Sequence, residues 1–169
     1  MSSTGAIRFL RAVGVGGALL LACSTGASRV SRPDPPGSVA TDSRSERAVL
    51  ELVNRHRRAH GLHVLVPDDR IARQARAHSA AMAAGKTPLG HAGFDARAAA
   101  LHEVMPFKGI AENVAFNRGH RDPAGEAVRG WLGSRGHRAN IEGRYERTGV
   151  GVATNAKGEV FFTQIFVGP

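Results

Sequence analysis

The 169-residue sequence contains a single cysteine, Cys23, and few aromatic residues, with one Trp and one Tyr. One thiol excludes an intramolecular disulfide, so the chain is not a disulfide-stapled scaffold. The net charge is +9, but the basic residues are scattered, stacking side chains are scarce and no nucleic-acid motif occurs, which argues against a nucleic-acid partner. No serine lies in a G-x-S-x-G elbow, so the sequence offers no evident nucleophile for covalent catalysis.

The N-terminal region has the layout of an export signal. Arg8 and Arg11 precede an uncharged stretch, residues 12–22, that is too short to span a bilayer comfortably. The letters LLAC that end at Cys23 resemble a bacterial lipobox, in which the cysteine is lipidated and becomes the mature N-terminus. We therefore predict a lipoprotein-type signal peptide over residues 1–22 and a membrane anchor on lipidated Cys23.

Residues 23–43 are rich in Ser, Thr, Gly and Pro and have almost no large apolar side chain, which predicts a disordered tether. Ordinary signal cleavage after Ser24 or Ala27 is the alternative to lipidation and would give a secreted protein. Without residues 1–22 the net charge stays near +7, and a basic exported protein can bind anionic lipid or a cell-wall polymer. We expect the protein on the extracellular side of the cell membrane or envelope.

Four helices are predicted in residues 44–169, which we expect to form one domain. Each begins at a residue with helix-starting chemistry and repeats apolar side chains at helical spacing. The predicted starts are Ser43 with Glu46 as a capping box, Pro67 with Asp68, Asp95, and Asp122 with Pro123. The segment SRGHRAN after the last helix is interpreted as a tight turn at Gly136 that displays His137.

The C-terminal segments TGVGVAT and EVFFTQIFV predict a β-hairpin. The apolar side chains of the last strand point to both sides: Val160, Phe162 and Phe166 to one, Phe161, Ile165 and Val167 to the other. Both faces of this strand should therefore be covered. We predict an α+β fold, an α-β-α sandwich with a small antiparallel sheet covered by helices on both faces.

Five segments, in chain order NRHRRAHGL, LGHAGF, AENVA, SRGHRANI and GVGVA…FFTQIF, resemble the CAP family (cysteine-rich secretory proteins, antigen 5 and pathogenesis-related 1; the SCP domain) in its short bacterial form. The resemblance covers about residues 46–167. In that family two histidines and two glutamates meet in a central cleft. The resemblance implies that His91, Glu112 and His137 hold three of these four positions.

One family position differs. Members with all four residues carry a glutamate three residues after the helix tryptophan, whereas Trp131 is followed at that spacing by Ser134. Glu126, in the first turn of the same helix, is a candidate replacement. Any activity that needs two carboxylates would depend on such a replacement.

The residues themselves leave three interpretations open. Two imidazoles and a carboxylate, as in His91, His137 and Glu112, can bind a divalent cation such as zinc, with water as fourth ligand. They can also serve as an acid–base cluster, or hydrogen-bond one another and hold the cleft walls together. We expect a binding module for a divalent ion, a lipid or an envelope polymer, and the alternative is a metal-dependent hydrolase of peptide or ester bonds.

His56 and His60 have the i, i+4 spacing of zinc-binding helices. However, Arg57 stands where such a helix would carry a catalytic glutamate, and Arg55 and Arg58 add charge that repels a cation. We therefore predict a solvated basic face.

Four further polar residues are expected to be structural. His78 falls on the apolar stripe of the second helix and is predicted to be a hydrogen-bonded core residue. Asn54 and Arg57 match a family segment and are interpreted as surface positions with local capping or salt-bridge roles. Asn113 is expected to tie down a strand edge.

Overall fold

The computed structural model describes residues 39–169, and these form an α-β-α sandwich, which confirms the predicted fold class. The predicted signal peptide, Cys23 and most of the predicted tether lie outside the described residues. Within the described part of the chain, no helix is both long and apolar enough to cross a membrane. The helices are α1 (Ser43–Ala59), α2 (Asp69–Ala83), α3 (Phe94–His102), α4 (Pro123–Gly133) and α5 (Arg135–Glu142), and the strands are β1 (Ala40–Thr41), β2 (Val66–Pro67), β3 (Gly109–Arg118), β4 (Arg147–Thr154) and β5 (Glu159–Gly168).

The sheet has the strand order β1-β4-β5-β3, and all neighbours on this path are antiparallel. The short strand β2 pairs in parallel with the beginning of β4, so the sheet is antiparallel apart from this two-residue pair. The predicted hairpin is β4–β5, with β5 in the interior of the sheet. This places β3, which carries Glu112, at one edge of the path.

The two faces of β5 pack against different helices, as its alternating apolar pattern predicts. On one face Phe162 belongs to a buried cluster that includes Trp131 of α4 and side chains of α1. On the other face Ile165 is buried with Ile71 of α2 and Leu101 of α3. Burial of apolar surface on both faces therefore holds the helices against the sheet.

Helix α2 lies directly on β4 because two strand residues lack side chains. A Cβ atom added to Gly149 would overlap the backbone of Ala72, and one added to Gly151 would overlap the backbone of Ala75. The Gly-Val alternation of β4 therefore serves two purposes. Its glycines admit the helix on one face, while Val150 and Val152 fill the core on the other.

The domain begins earlier than predicted, and its first helix is capped differently. Residues Ala40 and Thr41, expected in the tether, form β1 and pair with β4. Asp42 is the N-cap of α1, and its carboxylate accepts hydrogen bonds from first-turn N–H groups. Glu46 binds the guanidinium of Arg76 at 2.7 Å instead of the helix N-terminus. The capping-box prediction was therefore wrong, because a charged partner on α2 takes the carboxylate.

The segment interpreted as a tight turn is helix α5. The chain changes direction at Ser134, whose backbone is extended, and Gly136 is an ordinary helical residue. Of the eight residues of α5 only Ile141 is buried. A helix with one buried side chain leaves no apolar repeat in the sequence, which is why the periodicity did not predict it.

Candidate functional site

His91 and His137, two of the site residues that the family resemblance implies, line a cleft between β3, α4, α5 and the loop before α3. The cavity has a volume of about 800 Å³. Its lining includes Leu89, His91, Phe116, Trp131, Ser134 and His137. The lining also carries polar and charged side chains besides His91, Ser134 and His137, which are those of Asn117, Arg118, His120 and Glu126.

Glu112 lies on β3 behind His91, with 1% of its side chain exposed. Arg97 of α3 approaches it with two N–H groups, Nε to Oε2 at 2.9 Å and Nη2 to Oε1 at 2.8 Å. A buried carboxylate needs such a partner, because an unpaired charge in the interior is very costly. Arg97 was not singled out in the sequence, since an arginine in a short helix with no motif around it gives no signal.

Glu112 also orients His91. The Nδ1 atom of His91 lies 3.0 Å from Oε1 of Glu112. A ring nitrogen that faces a carboxylate carries the proton, so Nδ1 donates and Nε2 keeps its lone pair. His91 lines the cleft with about half of its side chain exposed, and this pairing of carboxylate and histidine is the one that commonly positions a metal-binding imidazole.

His137 reaches the cleft from α5, which two asparagines hold against β3. Asn113 is fully buried and donates from Nδ2 to the carbonyl of His137 at 3.0 Å. Asn140 donates to Oδ1 of Asn113 at 2.9 Å. Asn113 therefore does not tie down the strand edge, as predicted from the sequence, but fixes the backbone of the helix that carries His137.

Burial lowers the pKa of two histidines in and near the cleft, His137 and His78. Burial, followed by the nearby His91, lowers the pKa of His137. Burial also lowers the pKa of His78, which lies beneath the cleft and hydrogen-bonds the carbonyl of Gly90 through Nε2 at 2.8 Å. His78 is thus the hydrogen-bonded core residue that its position on α2 predicts.

Ser134 and Glu126, the two residues considered for the second glutamate of the family, do not provide a free carboxylate. Ser134 lines the cleft at the start of α5. Glu126 also lines the cleft, but its carboxylate is 2.6 Å from the guanidinium of Arg129. Trp131 holds α4 in place, because its indole N–H donates to the carbonyl of Val114 at 3.0 Å.

For a divalent cation in the cleft, His91 and His137 have suitable chemistry. Both oxygens of Glu112 already accept hydrogen bonds, so Glu112 is better suited to orient His91 than to bind the ion itself. His91, Glu112 and His137 do not bring three ligand atoms within 4.8 Å of one another, and within residues 39–169 a single group does so. The arrangement as it stands supports two imidazole ligands, with the remaining positions left to water or a bound molecule.

That single group consists of His56 and His60 on α1 and Glu142 at the end of α5. Nε2 of His56 lies 2.9 Å from Oε1 of Glu142, and the two imidazole rings stack with centroids 4.0 Å apart. The solvated basic face predicted for these histidines is therefore wrong for His56, which is half-buried and paired. Glu142 was missed because its contact depends on the packing of α5 on α1.

Asn54 and Arg57 also lie inside the protein and not at its surface. Asn54 exchanges two hydrogen bonds with the backbone of Leu65, at 2.8 and 2.9 Å. Arg57 is 2% exposed and donates to four backbone carbonyls, those of residues 63, 141, 143 and 145. These two side chains hold the loops around α1, which explains their presence without a ligand.

The fold and the cleft define an α-β-α sandwich domain with two histidines in one cleft, one of them held by a buried glutamate. The chain belongs to the cysteine-rich secretory protein (CAP) family, whose model matches residues 50–166. The protein YkwD of Bacillus subtilis is 32% identical over 139 residues, which are 79% of this chain and 49% of YkwD. The chain therefore spans about half the length of this curated relative.

Two solved structures are also similar. An extracellular SCP-domain protein of Bacillus anthracis matches with a TM-score of 0.56 and 28% identity, over 74% of this chain and 40% of that one. An outer surface protein of Borrelia burgdorferi matches with a TM-score of 0.65 and 15% identity, over 78% of this chain and 98% of that one. At 15% identity the second likeness concerns the fold alone.

Proposed function

We propose that the protein is an exported binding module of the cell envelope, tethered through lipidated Cys23, whose cleft binds an anionic lipid. The observation that carries the proposal is the exposure of two large apolar side chains on the cleft wall. Leu89 is 55% exposed and Phe116 is 43% exposed, and both line the cavity. Exposed apolar side chains gathered in one cleft are typical of a surface that binds an apolar partner.

The polar groups of the cleft suit the headgroup of such a ligand. Arg118 lines the same cavity and offers a positive charge to a phosphate. His91 and His137 can donate or accept hydrogen bonds there, or hold a divalent cation that bridges to the phosphate. An acyl chain would then lie along Leu89 and Phe116.

Export is supported by the related proteins and by the N-terminal sequence. The similar SCP-domain protein of Bacillus anthracis is extracellular. The charged start, uncharged stretch and lipobox-like LLAC of residues 1–23 fit the same location. A lipid anchor at Cys23, followed by the tether, would hold the domain close to a membrane that supplies the ligand.

The hydrolase alternative has less support. If its general base is a carboxylate, that base is Glu112, but Arg97 and His91 occupy both oxygens of this carboxylate. The second family carboxylate is replaced by Ser134, and Glu126 is paired with Arg129. Binding requires none of these groups to be free.

The proposal is tested by titrating the purified protein with fluorescent phosphatidylglycerol and, separately, phosphatidylcholine. Leu89→Ser and Phe116→Ser should each weaken phosphatidylglycerol binding about 10-fold, since each removes roughly 1–2 kcal/mol of apolar burial. Val64→Ser is the matched control, because Val64 is 43% exposed and lies outside the cleft. Equal binding by the cleft variants and the control would refute a lipid cleft, and equal binding of both lipids would refute the role of the headgroup.

A further inference from the structure

A second group of ligand-type side chains lies away from the cleft, where the end of α1 meets the end of α5. His56 lies in the last turn of α1 and His60 is the C-cap residue of that helix, four residues on, so both rings lie on the same side of the helix end. Glu142 is the last residue of α5. One ring nitrogen from each histidine and one carboxylate oxygen all lie within 4.8 Å of one another.

We propose that His56, His60 and Glu142 form a zinc site that joins α1 to α5. The site is independent of the cleft and of the lipid-binding role proposed above. Two imidazoles and one carboxylate are a common zinc donor set, with water in the fourth position. The i, i+4 pair supplies two ligands from the C-terminal end of α1, and Glu142 supplies the third from α5.

The hydrogen bonds of His60 prepare it for this role. Its Nδ1 atom lies 2.8 Å from the backbone carbonyl of His56. Since a carbonyl only accepts, Nδ1 of a neutral ring carries the proton and Nε2 keeps its lone pair. A backbone carbonyl behind a histidine is a frequent way of fixing the tautomer and orientation of a metal ligand.

His56 already faces the third ligand. Its Nε2 atom is 2.9 Å from Oε1 of Glu142, and its ring stacks on that of His60 at an interplanar angle of 29°. Stacked imidazoles repel each other if both are protonated, whereas zinc requires both to be neutral. The close stacking of the two rings is therefore compatible with two neutral imidazoles that bind one cation.

The surrounding charges select the kind of cation. Arg55, Arg58 and Arg138 are exposed near the group, and the guanidinium of Arg57 is directed at carbonyls that include that of Ile141. Water screens the exposed charges in part. Calcium and magnesium bind through charge and oxygen ligands, so the net repulsion strongly disfavours them. Zinc is disfavoured less, because its bonds to imidazole nitrogen contribute to its affinity.

A cation here would act on the least anchored helix of the site. Helix α5 buries one side chain, Ile141, yet it carries His137 of the cleft. A bond from zinc to Glu142 would fix the C-terminal end of α5 to α1, while Asn113 holds the end that carries His137. The site would thus stiffen one wall of the cleft without contacting it.

The test is zinc stoichiometry, measured by equilibrium dialysis of the full chain without a polyhistidine tag. His60→Ala and Glu142→Gln should each lower the bound zinc by one equivalent and abolish the rise in Tm that zinc produces through this site. His60 is exposed at the end of α1, so its removal leaves the core intact. His63→Ala removes another histidine nearby and should change neither value.

A variant without the cleft histidines distinguishes zinc bound at this site from zinc bound in the cleft. In the double variant His91→Ala/His137→Ala, His60→Ala should still remove one zinc equivalent, whatever the cleft itself binds. If His60→Ala, Glu142→Gln and His63→Ala all bind as much zinc as the unmodified protein, the proposal is wrong. His56 and Glu142 would then form an ion pair only.

Discussion

Arg97 and Glu112 form a two-point ion pair behind His91 of the cleft, with N–O distances of 2.8 and 2.9 Å. The pair neutralises the one family glutamate that this chain retains. Its remaining polar contact in the cleft is with Nδ1 of His91. Glu112 therefore acts on a bound molecule through the orientation of His91, which favours binding over base catalysis.

Replacing Arg97 with Met should strongly destabilise the domain, because Glu112 would be left as a buried charge without its main partner. Loss of one member of a buried ion pair costs about 3–5 kcal/mol. Urea denaturation monitored by the fluorescence of Trp131 measures this loss. Arg129→Met, which breaks the exposed pair with Glu126, is the control and should leave the midpoint nearly unchanged. A similar midpoint for both variants would show that Arg97 is dispensable.

The sequence carried enough information for the fold because its core depends on apolar patterns. The two apolar faces of β5 predicted a strand covered on both sides, and Asp122 with Pro123 predicted the start of α4. His78 was predicted correctly as a hydrogen-bonded core residue, but two other polar residues that face inward were interpreted wrongly. Asn54 and Arg57 satisfy buried backbone groups, and nothing in a local pattern distinguishes such side chains from solvated ones.

The candidate site was predictable only in part. His91, Glu112 and His137 came from the resemblance to a family, and the structure places His91 and His137 in the cleft lining and Glu112 behind His91. Arg97 and the contact between His56 and Glu142 depend on how helices pack, which spacing along one helix does not reveal. Helix α5 escaped prediction for the same reason, since backbone bonds from Asn113 and Arg57 hold it more than its own apolar side chains do.

Core truncation should show that β5 is central. Phe162 and Ile165 are fully buried on opposite faces of the strand. Phe162→Ala should cost about 3–5 kcal/mol and Ile165→Ala about 2–5 kcal/mol, through lost burial and the cavity left behind. Phe116→Ala, at a half-exposed position of β3, should cost less than either. Denaturant titration would contradict the assignment if both core variants lost under about 1 kcal/mol.

Stability should fall at acid pH in a way that depends on Asp68. Hydrogen bonds from Arg70, and also from Arg147, hold the pKa of Asp68 well below its usual range of about 3.9. A lowered pKa in the folded state stabilises the protein above the unfolded value, and this contribution is lost as the pH falls through the folded value.

Asp68→Asn isolates that charge, because asparagine is an equally good N-cap for α2. The variant should melt at a lower temperature than the unmodified protein at pH 7. The difference in Tm should stay constant down to about pH 5 and shrink below about pH 4. A difference that is the same at pH 7 and pH 3 would mean that the ionised carboxylate contributes nothing.

Anchoring should depend on the single cysteine. If residues LLAC form a lipobox, Cys23→Ala should move the protein from the membrane fraction to the soluble exported fraction, because several acyl chains are lost at once. Ser24→Ala, at the next residue, should leave the protein on the membrane. Metabolic labelling with a radioactive fatty acid measures the modification directly, and equal labelling of the cysteine variant and the unmodified protein would exclude this anchor.

Zinc binding in the cleft should require both imidazoles. The test uses a His60→Ala background, which removes the second candidate site. In that background His91→Ala and His137→Ala should each abolish most of the remaining zinc binding. The double variant should bind scarcely less zinc than either single variant, because two ligands of one ion act as a unit. Glu112→Gln should weaken zinc about 10- to 100-fold without removing a ligand, since it loosens the orientation of His91. Equilibrium dialysis gives the affinities, and circular dichroism checks that each variant is folded. Unchanged zinc affinity in both single histidine variants would leave His91 and His137 as residues of the cleft wall, the first supported by Glu112 and the second by Asn113.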